Sequence, residues 1–559
     1  MFHIITFSVL LMLKSLTAVS GSTFLKARAA GSEDHISAEE VQVSLLSEIE
    51  GSLGSGSAAK KLKEMEDQLR VMYKALPKNE QGGLSHSVVR YALHRLFVQR
   101  HGWFVKGLDP DGSSFNSSSP TDFLKDQVPA YIQELFEKRL HGKGMGLHEL
   151  AVFAGTVEHL IHNEAVGRLG DALNVHQILP TSPMTEMEAD EVLDTYMMAY
   201  ILGENLKNMT QQYANESVAE MPALYLSWNE TQVFMRGMRE KITAGTKTHE
   251  INFATLAKVA ESAGEHFGSF QDTECRDLKS KLVAMEDRGS GRVRLADFYK
   301  PALSGQWQFQ ESVNYLRNLG ALDESEPKDP RVIIPNYLMS PSNCIASSSF
   351  YSVCCMDECE ALMGHLEEQI GAPEAPPSRL ATLVANLPSS SIKAPRTLSS
   401  TLLTRLDEIA TNHDGAVLIH GRLFAQWMHH AFPRECPYPH VSGTTNPQTA
   451  DEWEAEGRRS TASKFEMMQY SRNSKKDEKV PQVNGAPSEL QLQWSPEEEL
   501  LIGRRSPFSE PASDSAWTNI RNLMLVAALG SVLVGLVRTS KSVQPESQKK
   551  GFDSHAKFV

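Results

Sequence analysis

The cysteines of this chain are confined to one stretch, between residues 275 and 436 of 559. They are Cys275, Cys344, Cys354, Cys355, Cys359 and Cys436. An even number of cysteines is typical of disulfides in an oxidising compartment, and six cysteines allow fifteen pairings. Because Cys354 and Cys355 are neighbours, we expect them to bond to different partners. A zinc or redox cluster is the alternative, but this stretch lacks the CxxC spacing of such sites.

Helical periodicity runs through the part of the chain without cysteines. Apolar residues follow one another at steps of three and four, as in Leu62, Met65, Leu69, Met72 and Leu76. Thr185 and Glu188 form the pattern of a capping box, and the helix that they begin is predicted to end at Gly203. We therefore predict a mainly α fold in two parts. The first is an all-α domain over 36–270, and the second is a Cys-containing helical domain over 271–440 with short extended pieces.

The amino terminus has the pattern of a secretory signal. The ten residues from Ile4 to Leu13 form an uncharged, mostly apolar run, which is too short for a membrane span but typical of a signal-peptide core. Ala18-Val19-Ser20 supplies the small residues of a cleavage site. The sequence predicts a signal peptide over 1–20, with an uncleaved signal anchor as the alternative.

A second apolar segment lies near the carboxyl terminus. Residues 523–537 carry no charge, and we predict a transmembrane helix over 517–537. The tail 538–559 holds an excess of basic residues, which places it in the cytoplasm. Residues 441–515 are rich in Ser, Glu, Lys, Asn, Pro and Gly and are predicted to form a disordered stalk. The expected topology is single-pass and type I, in the secretory pathway or at the cell surface, with the bulk lumenal or extracellular.

The charge balance and the sequons fit an exposed ectodomain. The chain has 55 Lys and Arg against 69 Asp and Glu, a net charge of -14. That balance argues against nucleic acid as a partner, because phosphate binding needs clustered basic charge. Asn-x-Ser/Thr sequons predict glycosylation at four positions, which are Asn116, Asn208, Asn215 and Asn229.

Residues 286–297 resemble a degenerate EF-hand loop. Gly291 occupies the sharp turn, Glu286 and Ser290 occupy the first and fifth positions, and Asp297 occupies the closing position. Arg288 occupies the third position, where a carboxylate or amide oxygen is needed. The resemblance implies a helix-loop-helix scaffold, with calcium bound through Glu286, Ser290 and Asp297 as the alternative to a purely structural loop.

A second, weaker match to the same loop covers residues 410–421. It places Gly415 at the turn, but Gly421 takes the closing position and supplies no side-chain ligand. Residues 77–88 share the helix-loop-helix outline.

A predicted helix over 148–164 concentrates possible acid, base and metal-binding groups. They are His148, Glu149, Glu158, His159, His162 and Glu164. No HExxH or ExxH pattern is present, so metal binding would need ligands from another helix. These residues carry one functional alternative, a lumenal metal-dependent enzyme.

No common catalytic signature occurs in the sequence, which favours a protein that is not an enzyme. We expect a binding or scaffold protein with protein partners, modulated by calcium if the loop at 286–297 binds it. A calcium buffer is a further alternative, supported by the acidic ectodomain alone. Residues 94–103 and 146–153 resemble segments of secretory or membrane proteins of dinoflagellate-type algae, a resemblance that implies no activity.

Overall fold

The computed structural model describes six stretches of the chain, which are 57–108, 144–244, 251–345, 348, 351–477 and 493–501. The predicted signal peptide 1–20, transmembrane segment 517–537, tail 538–559 and sequon Asn116 lie outside them. Within these stretches, no helix has the length and apolar character needed to cross a bilayer.

The described part of the protein is mainly α-helical, which confirms the mainly α character of the predicted fold. The described helices are α1 (Ser57–Ala75), α2 (His86–His101), α3 (Leu147–Val175), α4 (Glu186–Leu202), α5 (Gln211–Leu224), α6 (Trp228–Ala244), α7 (Phe253–Ala284), α8 (Leu295–Phe298), α9 (Lys300–Leu303), α10 (Val313–Asn318), α11 (Ile334–Leu338), α12 (Glu358–Ile370), α13 (Pro377–Ala385), α14 (Ser400–Thr411), α15 (Arg422–Ala431), α16 (Ala450–Ala455) and α17 (Lys464–Asp477).

Short strands accompany the helices in the described stretches. They are β1 (Trp103–Val105), β2 (Arg292–Arg294), β3 (Leu322–Asp323), β4 (Arg331–Ile333), β5 (Tyr351–Val353), β6 (Glu374–Ala375) and β7 (Val417–Leu418). β1 pairs with β5, β4 lies between β2 and β3, and β6 pairs with β7, all antiparallel.

Local sequence sets the helix ends where capping residues are present. The Thr185 hydroxyl accepts a hydrogen bond from the Glu188 backbone, and the Glu188 carboxylate accepts one from the Thr185 backbone. Gly203 ends α4 in the left-handed conformation, with φ of 72°. Both ends confirm the prediction, because each depends on residues close in sequence.

The chain repeats one structural unit, in which a loop ends on a buried apolar residue and a helix follows. These apolar residues meet in antiparallel pairs, which are Leu84 with Met145, Met184 with Ile251, Val293 with Val332, and Ala375 with Val417. In seven of these eight positions the next helix begins two residues later. The helices α3 and α7 each leave one loop and enter the next, so consecutive units share a helix.

Within the described stretches, three buried clusters form the core. The first runs from Met65 to Phe267 and includes the strand β5, the second holds α12 to α15, and the third is formed around β2, β4 and α11. The helix α7 contributes Phe267 to the first cluster and Leu282 to the third. The domain boundary predicted at 270/271 therefore falls inside a continuous helix.

The cysteines pair in three disulfides, which confirms the predicted bridges. The pairs are Cys275 with Cys355, Cys344 with Cys354, and Cys359 with Cys436. The neighbours Cys354 and Cys355 bond to different partners, as expected. Cys275 lies on α7, so one bridge ties that helix to the segment before α12.

Part of the predicted stalk is folded. Residues 441–477 include α16 and α17, and Trp453 and Met467 are buried in the third cluster. Residues 493–501 return to the body, where Trp494 packs against the second cluster. The expectation of disorder over 441–515 does not hold for these residues. Single apolar side chains such as Trp453, Met467 and Trp494 pack into the core, and the average composition of residues 441–515 does not reveal them.

Candidate functional site

The loop 286–297 joins α7 to α8, and a residue from far along the chain closes it. The Glu286 carboxylate accepts a hydrogen bond from the Gly291 backbone N–H at 2.5 Å. The Arg434 guanidinium donates two more, from Nε at 2.9 Å and from Nη2 at 2.5 Å. The Glu286 side chain is only 4% exposed. Because a buried carboxylate needs a compensating charge, Arg434 is its counter-ion.

Gly291, at the turn of the loop, allows the backbone at Pro433 to come close. Gly291 has φ of 72°, a conformation that L side chains rarely adopt. A Cβ on Gly291 would lie 2.0 Å from the carbonyl oxygen of Pro433. The backbone of Pro433 therefore packs directly on the loop, which brings the adjacent Arg434 to Glu286.

The remaining predicted calcium ligands have other roles. Asp297 forms an ion pair with Lys300 at 2.5 Å. The Ser290 hydroxyl is buried, and no hydrogen-bond partner for it lies within the described residues. Arg288 is exposed and has φ of 56°. The part of the chain that the structure describes contains no group of three or more His, Cys, Asp or Glu side chains arranged to hold a metal ion.

Ion pairs also connect the loop 286–297 to the loop with which it pairs. That second loop contains β3 and leads into β4. Arg292 and Asp323 are joined by a 2.6 Å contact, and both side chains are buried. Burial alone would raise the pKa of Asp323, but Arg292 and hydrogen bonds from Ser325 outweigh it and lower that pKa. Further pairs join Arg294 to Asp329 and Arg331 to Asp287. The protein's own arginines thus neutralise Asp323, Asp329 and Asp287 of these paired loops.

In the loop 410–421, the group that comes from a distant segment is a carboxylate and not a cation. Gly421 is the N-cap residue of α15 and has no side chain to accept from the first turn. Glu498 supplies that acceptor, since the Leu423 backbone N–H donates to its Oε1 at 3.0 Å. Its Oε2 lies 3.0 Å from His413 Nε2. A carboxylate from a distant segment therefore meets the helix end where the EF-hand pattern lacks one.

The His/Glu-rich helix, which is part of α3, distributes its groups among separate partners. His148 pairs with Glu66, and His159 Nε2 lies 3.0 Å from the Asn163 side chain. Neither contact involves the other acid and base groups of the helix.

The buried groups of the same helix form a second set of contacts. Glu158 lies 3.1 Å from His101, and His162 lies 3.4 Å from Glu265. Burial would raise the pKa of Glu158, but His101 and Arg100 outweigh it and lower that pKa. Burial lowers the pKa of His162. These contacts join α3 to α2 and α7 and serve the packing of the bundle.

A buried charged cluster that the sequence did not predict joins α2 to α12. Arg95 Nη1 donates to Glu367 at 2.5 Å and its Nε donates to Glu360 at 2.5 Å. His420 Nε2 lies 2.7 Å from Glu367. Burial would raise the pKa of Glu367, but Arg95 and His420 lower it to about 2. Burial and the nearby Glu360 raise the pKa of Asp357 to about 7. The cluster cross-links the first and second core clusters.

Two sequence signals could have found these features. Arg95 lies three or four residues from Tyr91, Ala92 and Val98, on a largely apolar helix face, which indicates a buried partner of opposite charge. A glycine two residues before a buried apolar position marks several of the paired loops, as in Gly82 with Leu84, Gly291 with Val293 and Gly415 with Val417.

No protein-family model, no curated protein and no solved structure matches this chain.

Proposed function

We propose that the protein is a binding scaffold made of paired, EF-hand-like helix-loop-helix units that are closed by the protein's own ion pairs. One observation carries the proposal, which is the position of Arg434 on Glu286. The guanidinium lies on the carboxylate that would be the first calcium ligand. A cation of the protein there makes the loop a fixed structural element.

We also propose a membrane topology and a cellular compartment for the scaffold. A signal peptide over 1–20 and a membrane span over 517–537 would make it a single-pass, type I glycoprotein with protein partners. The disulfides support an oxidising compartment. The sequons Asn208, Asn215 and Asn229 support glycosylation, because all three side chains are exposed.

Calcium titration tests the closed state of the loops. Residues 22–515 are purified and titrated with calcium by calorimetry, and their metal content is measured by mass spectrometry. We expect no saturable heat and no bound metal. Saturable binding that is lost in Asp297→Ala would overturn the proposal, because it would make the loop a calcium site.

Chemical cross-linking tests the binding role. The full chain is cross-linked in its native membranes, captured, and analysed by mass spectrometry in calcium and in chelator. We expect the same protein partners under both conditions. Partners that appear only in calcium, or none above a capture control, would contradict a calcium-independent scaffold.

A further inference from the structure

Residues 493–501, called the strap below, run along α15 from His430 near its carboxyl-terminal end to Arg422 at its amino-terminal end, without forming a helix or strand. Trp494 is the first anchor of the strap. Its ring stacks on His430 at a centroid distance of 6.1 Å, and the Arg405 guanidinium lies 4.9 Å from its centroid. His430 Nε2 also lies 3.0 Å from the Gln493 carbonyl oxygen. The aromatic side chain thus lies among groups from α14 and α15.

The main chain of the strap is bound by two buried side chains of α15. The Arg422 guanidinium donates to the carbonyl of Ser495 at 2.7 Å and to that of Glu497 at 2.8 Å. The Gln426 side chain accepts from the Ser495 backbone N–H at 3.1 Å and donates to its carbonyl at 3.2 Å. Arg422 is 6% exposed and Gln426 is fully buried. When an extended peptide binds, main-chain hydrogen bonds supply affinity and side-chain pockets supply specificity.

Glu498 is the second anchor. It accepts from the backbone of α15 and contacts His413, as described above. Gly421 provides the space, since a Cβ there would lie 3.1 Å from Glu498 and 3.1 Å from Leu500. The Glu499 carboxylate accepts from the Ser442 backbone N–H at 3.0 Å. The surface of α14 and α15 therefore holds an aromatic side chain of the strap and, four residues later, a carboxylate.

We propose that this surface is a peptide-binding groove whose resident ligand is the strap, and that it exchanges the strap for an extended segment of a partner protein with the same aromatic and acidic pattern. Fifteen residues separate the end of α17 at Asp477 from Gln493. The strap is therefore a tethered ligand that competes with outside segments through its local concentration. This inference deepens the proposed binding function and depends on it.

Peptide binding in trans tests the groove. A specific protease site replaces residues 484–487 of the full chain, and a fluorescent peptide of residues 490–503 is the probe. Anisotropy is measured before and after cleavage. We expect the cut chain to bind the peptide at least about tenfold more tightly than the uncut chain, because cutting removes the local concentration of the strap. Equal affinities for cut and uncut chain would overturn the proposal.

Peptide variants test the anchors. Trp494→Ala and Glu498→Gln in the peptide each weaken binding by about tenfold or more. Glu497→Gln is the matched control, since the exposed Glu497 carboxylate hydrogen-bonds to Ser495 of the strap itself and acts on Arg422 as a solvent-screened charge. It should therefore change affinity much less than Glu498→Gln. Equal effects of the two glutamate substitutions would contradict recognition by the groove.

A second experiment applies if the cut chain does not fold. The uncut full chain carrying Trp494→Ala and Glu498→Gln should expose the groove and bind the wild-type peptide, with its thermal transition retained. Failure of this variant to bind would also overturn the exchange. Neither result bears on the calcium titration, so failure of the groove and failure of the closed-loop scaffold are distinguishable.

Discussion

The loops 286–297 and 410–421 follow one plan but are closed by opposite charges. In the first loop a carboxylate, Glu286, meets a cation from outside, Arg434. In the second loop the closing position is Gly421, and a carboxylate from outside, Glu498, meets the helix end. In both cases the closing group comes from a distant part of the sequence.

This difference shows how one helix-loop-helix unit can be completed in two ways by tertiary contacts. The first loop depends on a buried ion pair and a close backbone approach, whereas the second depends on a helix cap supplied by a segment that crosses it. We therefore expect substitutions in the first loop to cost more stability than equivalent substitutions in the second.

The largest expected effect is at the turn glycines. Gly291→Ala should lower the free energy of unfolding by about 3 kcal/mol or more, because its Cβ would overlap the Pro433 carbonyl in addition to straining the backbone. Gly415→Ala is the matched control. It has φ of 86° but nothing within 4 Å of its Cβ, so backbone strain alone should cost about 1 kcal/mol. Urea unfolding measures both, and equal losses would remove the proposed asymmetry between the loops.

The next effect is at the counter-ion of the first loop. Arg434→Ala leaves Glu286 buried without its cation and should lower the free energy of unfolding by about 2–3 kcal/mol. Arg70→Ala removes an exposed pair with Asp67 and should change it by less than about 0.5 kcal/mol. Chemical denaturation of both variants checks the prediction. A loss at Arg434 no larger than that at Arg70 would mean that the first loop does not need this closure.

The smallest effect is at the cap of the second loop. Glu498→Gln weakens the acceptor for the first turn of α15 and should lower the free energy of unfolding by about 1 kcal/mol. Glu497→Gln should have a much smaller effect, because that carboxylate is exposed, hydrogen-bonds to Ser495 of the strap and acts on Arg422 through solvent. Thermal and urea unfolding of the two variants compare them directly. An unaffected Glu498→Gln protein would argue that the strap does not close the second loop.

The sequence predicted the features that depend on neighbouring residues. Thr185 and Gly203 set the two ends of α4 through local hydrogen bonds, and Cys354 and Cys355 bond to different partners. The pairing of loops was not predicted, because each pair meets through few residues, such as Leu84 and Met145, that lie far apart in sequence.

The candidate site was only partly predictable for the same reason. The loop pattern drew attention to Glu286, Ser290 and Asp297, but the pattern contains no information about Arg434. Likewise, the absence of a ligand at Gly421 was visible in the sequence, whereas its replacement by Glu498 requires a fold that brings residues 493–501 back to α15. Charges that close a loop from outside cannot be inferred from the loop alone.

A double-mutant cycle measures how strongly Glu286 and Arg434 stabilise each other in the folded protein. The free energies of unfolding of wild type, Glu286→Gln, Arg434→Met and the double variant are measured in calcium and in chelator. We predict a coupling energy of at least about 1.5 kcal/mol that is the same under both conditions. A coupling near zero, or one that disappears in calcium, would contradict closure of the loop by the protein's own ion pair.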